Sequence, residues 1–134
     1  MANPLSVYDI AGRAMSAQLV RLNATASNLA NAGTVSTTKE GAFRALKPVF
    51  RTVTEAPGVA TVQVDRVVAS TAEPTKRHAP NHPLADANGD VWEAGVDSAA
   101  ELVEMIESAR QYQNNVQVLQ TVKTLTLDTL RLGK

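Results

Sequence analysis

A chain of 134 residues is long enough for one small domain with a modest core and too short for two ordinary ones. Apolar residues make up 44%, which excludes a disordered chain, but alanine (21) and valine (16) far outnumber the two phenylalanines, two tyrosines and one tryptophan. Thirteen basic residues balance thirteen acidic ones, so net charge supplies no pull toward nucleic acid or an anionic membrane.

The first element is a helix predicted over 5–31. Leu5, Tyr8, Gly12, Met15, Leu19, Leu22, Ala26 and Leu29 recur in alternating steps of three and four, the seam of a helix packed on another helix. Ser6 or Asn3 can cap its start, with Pro4 tolerated in the first turn. Asn31 and Gly33 are the stop residues, because both accept the left-handed conformation.

The middle, 34–97, reads as loops with short strands. Thr34 to Gly41 is polar and predicts a mobile loop. Phe43 to Val53 is strand-prone, and Pro48 makes it an edge strand or breaks it. Ala60, Val62 and Val64 alternate with Thr61, Gln63 and Asp65, which predicts a half-buried strand. Pro74, Pro80 and Pro83 forbid a regular helix over 73–90. Asn88-Gly89 signals a turn and Val91-Trp92 a short returning strand. Trp92 has two places to dock, the strands or a neighbouring molecule.

The last element is a helix of about 34 residues between Ser98 and Gly133, roughly 50 Å long. Ser98 and Glu101 have the spacing of a capping box, and Glu101, Glu104 and Glu107 suit the positive end of the helix dipole. Its seam runs Leu102, Met105, Ala109, Tyr112, Val116 and Leu119, then drifts to Val118, Val122, Leu125, Thr129 and Leu132. Gly133 closes it. The reading is therefore α+β: terminal helices at 1–33 and 98–134 packed as a coiled-coil-like pair, with a small β-hairpin and loop insert at 34–97 between them.

A two-helix hairpin has little interior, and isolated helices are marginal in water. Ordering the first helix costs more backbone entropy than its seam returns, with Gly12 and Ala26 in it. Neighbouring copies or partners are expected to supply the rest. Ala11, Ala14, Ala17, Ala24, Ala26 and Ala30 give that helix small surfaces on several sides, as a crowded bundle needs.

Other functional classes are disfavoured. With no cysteine, a disulfide framework, a thiolate metal site and a cysteine nucleophile are excluded. No run reaches the ~18 apolar residues of a membrane span, so no membrane insertion is expected. Met1 to Met15 has neither a basic start nor an unbroken apolar run, which predicts no conventional secretory signal and residence in the cytoplasm unless another export route reads the terminus. His78, His82, Asp86 and Asp90 recur every four residues, but the intervening prolines prevent one helix from aligning them, so no metal is expected. Asp86, Asn88 and Asp90 imitate the start of a calcium loop, yet Val91 stands where that loop requires glycine. No serine lies in a nucleophile elbow, and neither catalysis nor a cofactor is expected.

The segments Ser16-Ala17-Gln18, Arg21-Leu22-Asn23 and Ala26-Ser27-Asn28-Leu29-Ala30-Asn31-Ala32 resemble the amino-terminal signature of the bacterial flagellar axial proteins, the rod and hook family. Asn81 to Gly89, Glu104-Met105-Ile106, Ala109 to Val116 and the ending Thr129 to Lys134 resemble the basal-body rod proteins of C type within it. The likeness covers both ends and part of the middle. Asp90 stands where that family has tyrosine, and Ala94-Gly95 where it has a Pro-Asn pair.

The resemblance implies a structural subunit of the proximal rod. Such proteins leave the cytoplasm by the flagellar type III export apparatus, read from a poorly ordered amino-terminal segment without a cleaved signal peptide. In the periplasm they polymerise with their own copies, other rod proteins and the rod-base adaptor of the MS ring. The product is a hollow shaft that transmits torque and passes later subunits. The resemblance also turns Asn23, Asn28 and Asn31 from solvated polar residues into expected subunit contacts, because buried amides fix register. With them go the seam residues Met15, Leu19, Leu22, Leu29, Met105, Ala109, Val116 and Leu119. Arg110 and Tyr112 are candidate interface anchors, although Tyr112 equally suits the seam. The rival readings are another flagellar rod component, or a cytosolic helical adaptor or scaffold; flagellum-dependent export separates the latter from the rod.

Overall fold

A computed structural model describes residues 6–133. Asn3, Pro4, Leu5 and Lys134, which entered the reading of the two helix ends, lie outside the described residues. The elements in order are α1 (Val7–Asn31), β1 (Val35–Ser36), β2 (Leu46–Ala56), β3 (Val59–Ala69), β4 (Thr75–His78), β5 (Asp90–Glu93) and α2 (Ser98–Leu132). The α+β architecture read from the sequence is present: two long helices flanking a small β region.

Both helix starts are capped by their own side chains. Ser6 caps α1 in a capping box with Asp9: its hydroxyl accepts the Asp9 N–H while the Asp9 carboxylate accepts the Ser6 N–H. At α2 the expected Ser98 cap is incorrect. Asp97 is the cap, its carboxylate accepting from the amides of Ala99 (3.0 Å) and Ala100 (3.2 Å). Glu101 therefore takes no part in a capping box and turns into the protein. The end of α1 also departs from expectation. No left-handed residue closes it; Ala32 is right-handed, and the Thr34 amide and hydroxyl both donate to the Asn31 carbonyl.

The helices run antiparallel. Gln18 donates to Gln111 at 2.9 Å, Arg21 pairs with Glu104, and Asn28 donates to Glu101, so positions rise on α1 as they fall on α2. The β2–β3 hairpin packs along α1 as a two-stranded ribbon, joined at its far end by an Arg13–Glu55 ion pair of 2.9 Å. α1 is thus covered on two sides, and this overturns the phase of its predicted seam. Ala11, Ala17, Ala24, Thr25 and Asn28 are the buried positions, because two neighbours approach closely only over small side chains. Met15, Leu22 and Leu29 sit half-buried at the rim, while Tyr8, Gly12, Leu19 and Ala26 face outward.

Pro48 does not break β2, since each strand of a two-stranded ribbon is an edge. Leu46, opposite Ala69, turns its N–H and C=O away from β3. Pro48, two residues on, shares that outer edge, where a missing N–H interrupts no ladder bond. β3 is half-buried as expected, with Thr61 buried and Ala60 exposed at its start, because α1 lies on the Thr61 side.

A second sheet has the order β1-β5-β4 with antiparallel neighbours. The loop expected over 34–41 therefore contributes a strand, and Lys39 in it reaches Glu73 and lies 5.9 Å from the Trp92 ring. Trp92 accordingly docks within its own chain. The Asn88-Gly89 turn is present, with Gly89 at φ +78°, and an added Cβ there would meet Pro80 Cβ at 2.9 Å. Ala42, Ala45, Val91 and Ala94 form the small buried cluster where this sheet meets the base of the ribbon.

Candidate assembly surface

The residues read as contact positions fall into three groups. Met15, Leu22 and Leu29 of α1 and Met105, Ala109, Tyr112, Val116 and Leu119 of α2 are half-buried on the two packed helices. Each is part-covered by the chain's own elements and keeps part of its surface exposed, Tyr112 included. Leu19, Asn23 and Arg110 face outward. Asn28 belongs to the interior of this chain, and Asn31 is half-buried. Asn28 is fully buried and bonded to Leu46 and Glu101, and Asn31 donates back to the Ser27 carbonyl. Asn28 is thereby corrected from a contact between subunits to one within the subunit, since no surface of it is left to offer.

The outward faces remain strongly apolar. On α1, Tyr8 and Leu19 (45% exposed) stand out beside Gly12 and Ala26. On α2, Leu102, Val103 and Ile106 are exposed, and Val103 and Ile106 line a surface hollow of about 550 Å³ with Glu107, Arg110 and Asn114. Leu102 was expected in the seam but lies outside it. From Lys123 to Gly133 every residue of α2 is exposed, because the helix outruns α1, and Leu125, Leu127, Leu130 and Leu132 go uncovered there. Apolar surface of this extent on a small chain marks an interaction surface. The predicted leucine periodicity could not have separated inward from outward positions, because both faces of each helix carry aliphatic residues.

The polar cluster near the turn is bound up locally. Asp90 accepts from Lys76 Nζ at 2.7 Å and pairs with His78 Nδ1 at 2.8 Å. The Lys76 bond and then the His78 bond hold its carboxyl below the usual range, and the same carboxylate raises Lys76. His82 Nδ1 accepts the Leu84 amide, and Asp86 accepts those of Asn88 and Asp90. Among the described residues no group of three or more potential ligands is placed to hold a metal ion. No described helix is long and apolar enough to cross a membrane.

Two family models match, at the two ends of the chain. "Flagella basal body rod protein" covers residues 9–35, and "Flagellar basal body rod FlgEFG protein C-terminal" covers 87–132. The first coincides with most of α1 and the second with β5 and α2. Whole-chain relatives agree. The flagellar basal-body rod protein FlgC of Salmonella typhimurium is 46% identical over 132 residues, 97% of this chain and 98% of that one. FlgC of Yersinia enterocolitica is 43% identical with the same coverage, and FlgC of Buchnera aphidicola subsp. Schizaphis graminum is 34% identical over 134 residues, 97% of this chain and 98% of that one. With helix pair, insert and full-length similarity in agreement, the chain belongs to the FlgC family of flagellar basal-body rod proteins.

Proposed function

We propose that this rod subunit polymerises through the outward faces of α1 and α2 into the proximal rod, a hollow shaft that carries torque outward and passes later subunits through its centre. The carrying observation is the pair of uncovered apolar stripes, Tyr8 and Leu19 on one helix and Leu102, Val103 and Ile106 on the other. Two different stripes on one molecule favour a heterologous contact, in which one face meets the other face of the next copy. A contact of that kind generates an open helical filament rather than a closed dimer. In this reading the helices build the inner tube and the β insert lies outside. The other rod proteins and the rod-base adaptor of the MS ring are its further neighbours, reached after passage through the flagellar type III export apparatus. Packing is the product, and nothing in the reading calls for turnover.

The test replaces Leu19→Asp and Ile106→Asp separately in a strain lacking its own copy. Both side chains are exposed, so helicity by circular dichroism is expected to stay at the parental level. Swimming is expected to stop, and the subunit to be missing from purified basal bodies. Normal swimming with normal incorporation in both variants would overturn the proposal. Retention in the cytoplasm of a flagellated strain would favour the adaptor reading instead.

A further inference from the structure

Asn28 lies in the Ala26–Ala32 segment, and its carboxamide does an unusual job. The Leu46 N–H donates to Oδ1 at 2.7 Å, and Nδ2 donates back to the Leu46 carbonyl at 2.9 Å. The two bonds reproduce what a neighbouring strand residue would make with Leu46, and they fall on the outer edge of β2 at its first position. The second Nδ2 hydrogen goes to Glu101 Oε2 at 2.9 Å, and Glu101 Oε1 takes the Lys47 ammonium. Asn28 is 0% exposed and Glu101 3%, whereas Lys47 reaches in from the surface.

We infer that Asn28 is a positioning residue that fixes where the β2–β3 ribbon leaves the helix pair, and that Glu101 acts through it by holding its amide in the orientation that Leu46 selects. A flipped amide would aim Nδ2 at the Leu46 N–H and Oδ1 at both the Leu46 carbonyl and the Glu101 carboxylate, three unfavourable contacts in a buried place. Only one orientation satisfies all three bonds, and it requires an acceptor at 101. Lys47, the residue after Leu46, completes the link from the ribbon to α2. Residues 28, 46–47 and 101 are far apart in sequence, so the lock closes only when α1, the ribbon and α2 are all in place. Its consequence for the rod, that the insert leaves every subunit at one angle, rests on the assembly reading; the lock itself does not.

Reciprocal exchange tests it. Asn28→Asp sets a carboxylate against Glu101 and removes the donor to the Leu46 carbonyl. Adding Glu101→Gln returns a donor toward position 28 and keeps an oxygen toward Lys47. Hydrogen exchange at the Leu46 amide is read in the full chain within purified basal bodies, or in the soluble chain where a variant does not assemble, each beside the parental chain in the same state. Asn28→Asp is expected to speed exchange about 10–100-fold, the range of a lost buried bond, and the pair to recover the part that comes from repulsion at Glu101, since neither change returns a donor to the Leu46 carbonyl. A pair no better protected than Asn28→Asp alone would overturn the inference, as would parental protection in Asn28→Asp. If Asn28→Asp leaves the chain unfolded, refolding of the pair decides in the same way. Swimming, scored alongside, reads the assembly proposal separately: lost protection with undiminished swimming keeps the lock and removes its role in the rod.

Discussion

Asp97 and Ser98 compete for the start of α2, and Asp97 wins because its carboxylate reaches two free amides at once while Glu101 is occupied elsewhere. Asp97→Ala is therefore expected to lower unfolding stability by about 0.5–2 kcal/mol, whereas Ser98→Ala should stay within about 0.5 kcal/mol. Urea denaturation followed by circular dichroism separates the two, and equal losses would return the cap to Ser98. The capping-box spacing at 98–101 was legible in the sequence, but what draws Glu101 away was not. Its partners come from positions 28 and 47, and a linear pattern cannot show which distant side chains converge. The sequence marks Asn28 only by its place in the family-like segment; its task, pairing with a strand inside the chain, depends on the fold.

At the scale of elements, helix existence and extent were legible because long periodic segments announce themselves: α1 and α2 end within a few residues of the predicted limits. Facing was less legible. α1 has neighbours on two sides, so its alanines rather than its leucines are innermost, and the same ribbon turns Thr61 inward. Strands β1 and β4 escaped notice because two and four largely polar residues carry no alternation; their pairing with β5 defines them. Two element ends are tied by carboxylates whose affinity for protons is lowered: Asp9 through the bonds with Ser6 at the start of α1, and Asp90 through Lys76 and then His78 between β4 and β5. A carboxyl group lowered in the folded state contributes stability in full above its unfolded value and loses it as pH falls through its folded value. Acidification through and below the ordinary carboxylate range is thus expected to loosen both ends. Carboxyl-carbon NMR titration should place both midpoints below those of the unfolded chain. Lys76→Ala should raise the Asp90 midpoint more than His78→Ala does, and the reverse order would show that the pairing is misassigned.

For the whole molecule, the decisive feature is that the chain leaves an outward face of each helix and the far end of α2 bare. An aspartate at Leu22 or Leu29 is a blunt probe of assembly, because those residues are half-buried against the chain's own elements and a charge there attacks the fold first. Leu125 and Leu130 are 61% and 63% exposed on the overhang and carry no such burden. In the chain with both Leu125→Asp and Leu130→Asp, the unfolding midpoint in urea should shift by the equivalent of no more than about 1 kcal/mol, two surface changes of at most about 0.5 each. Leu22→Asp should lower it by more than that. Incorporation into basal bodies should fall in both variants, for opposite reasons: an intact subunit lacking its contact in the first, a damaged subunit in the second. If the doubly substituted chain is incorporated at the parental level, the overhanging turns contribute nothing to the polymer, and its contacts must lie wholly on the paired stretch of the helices, around Leu19 and Ile106.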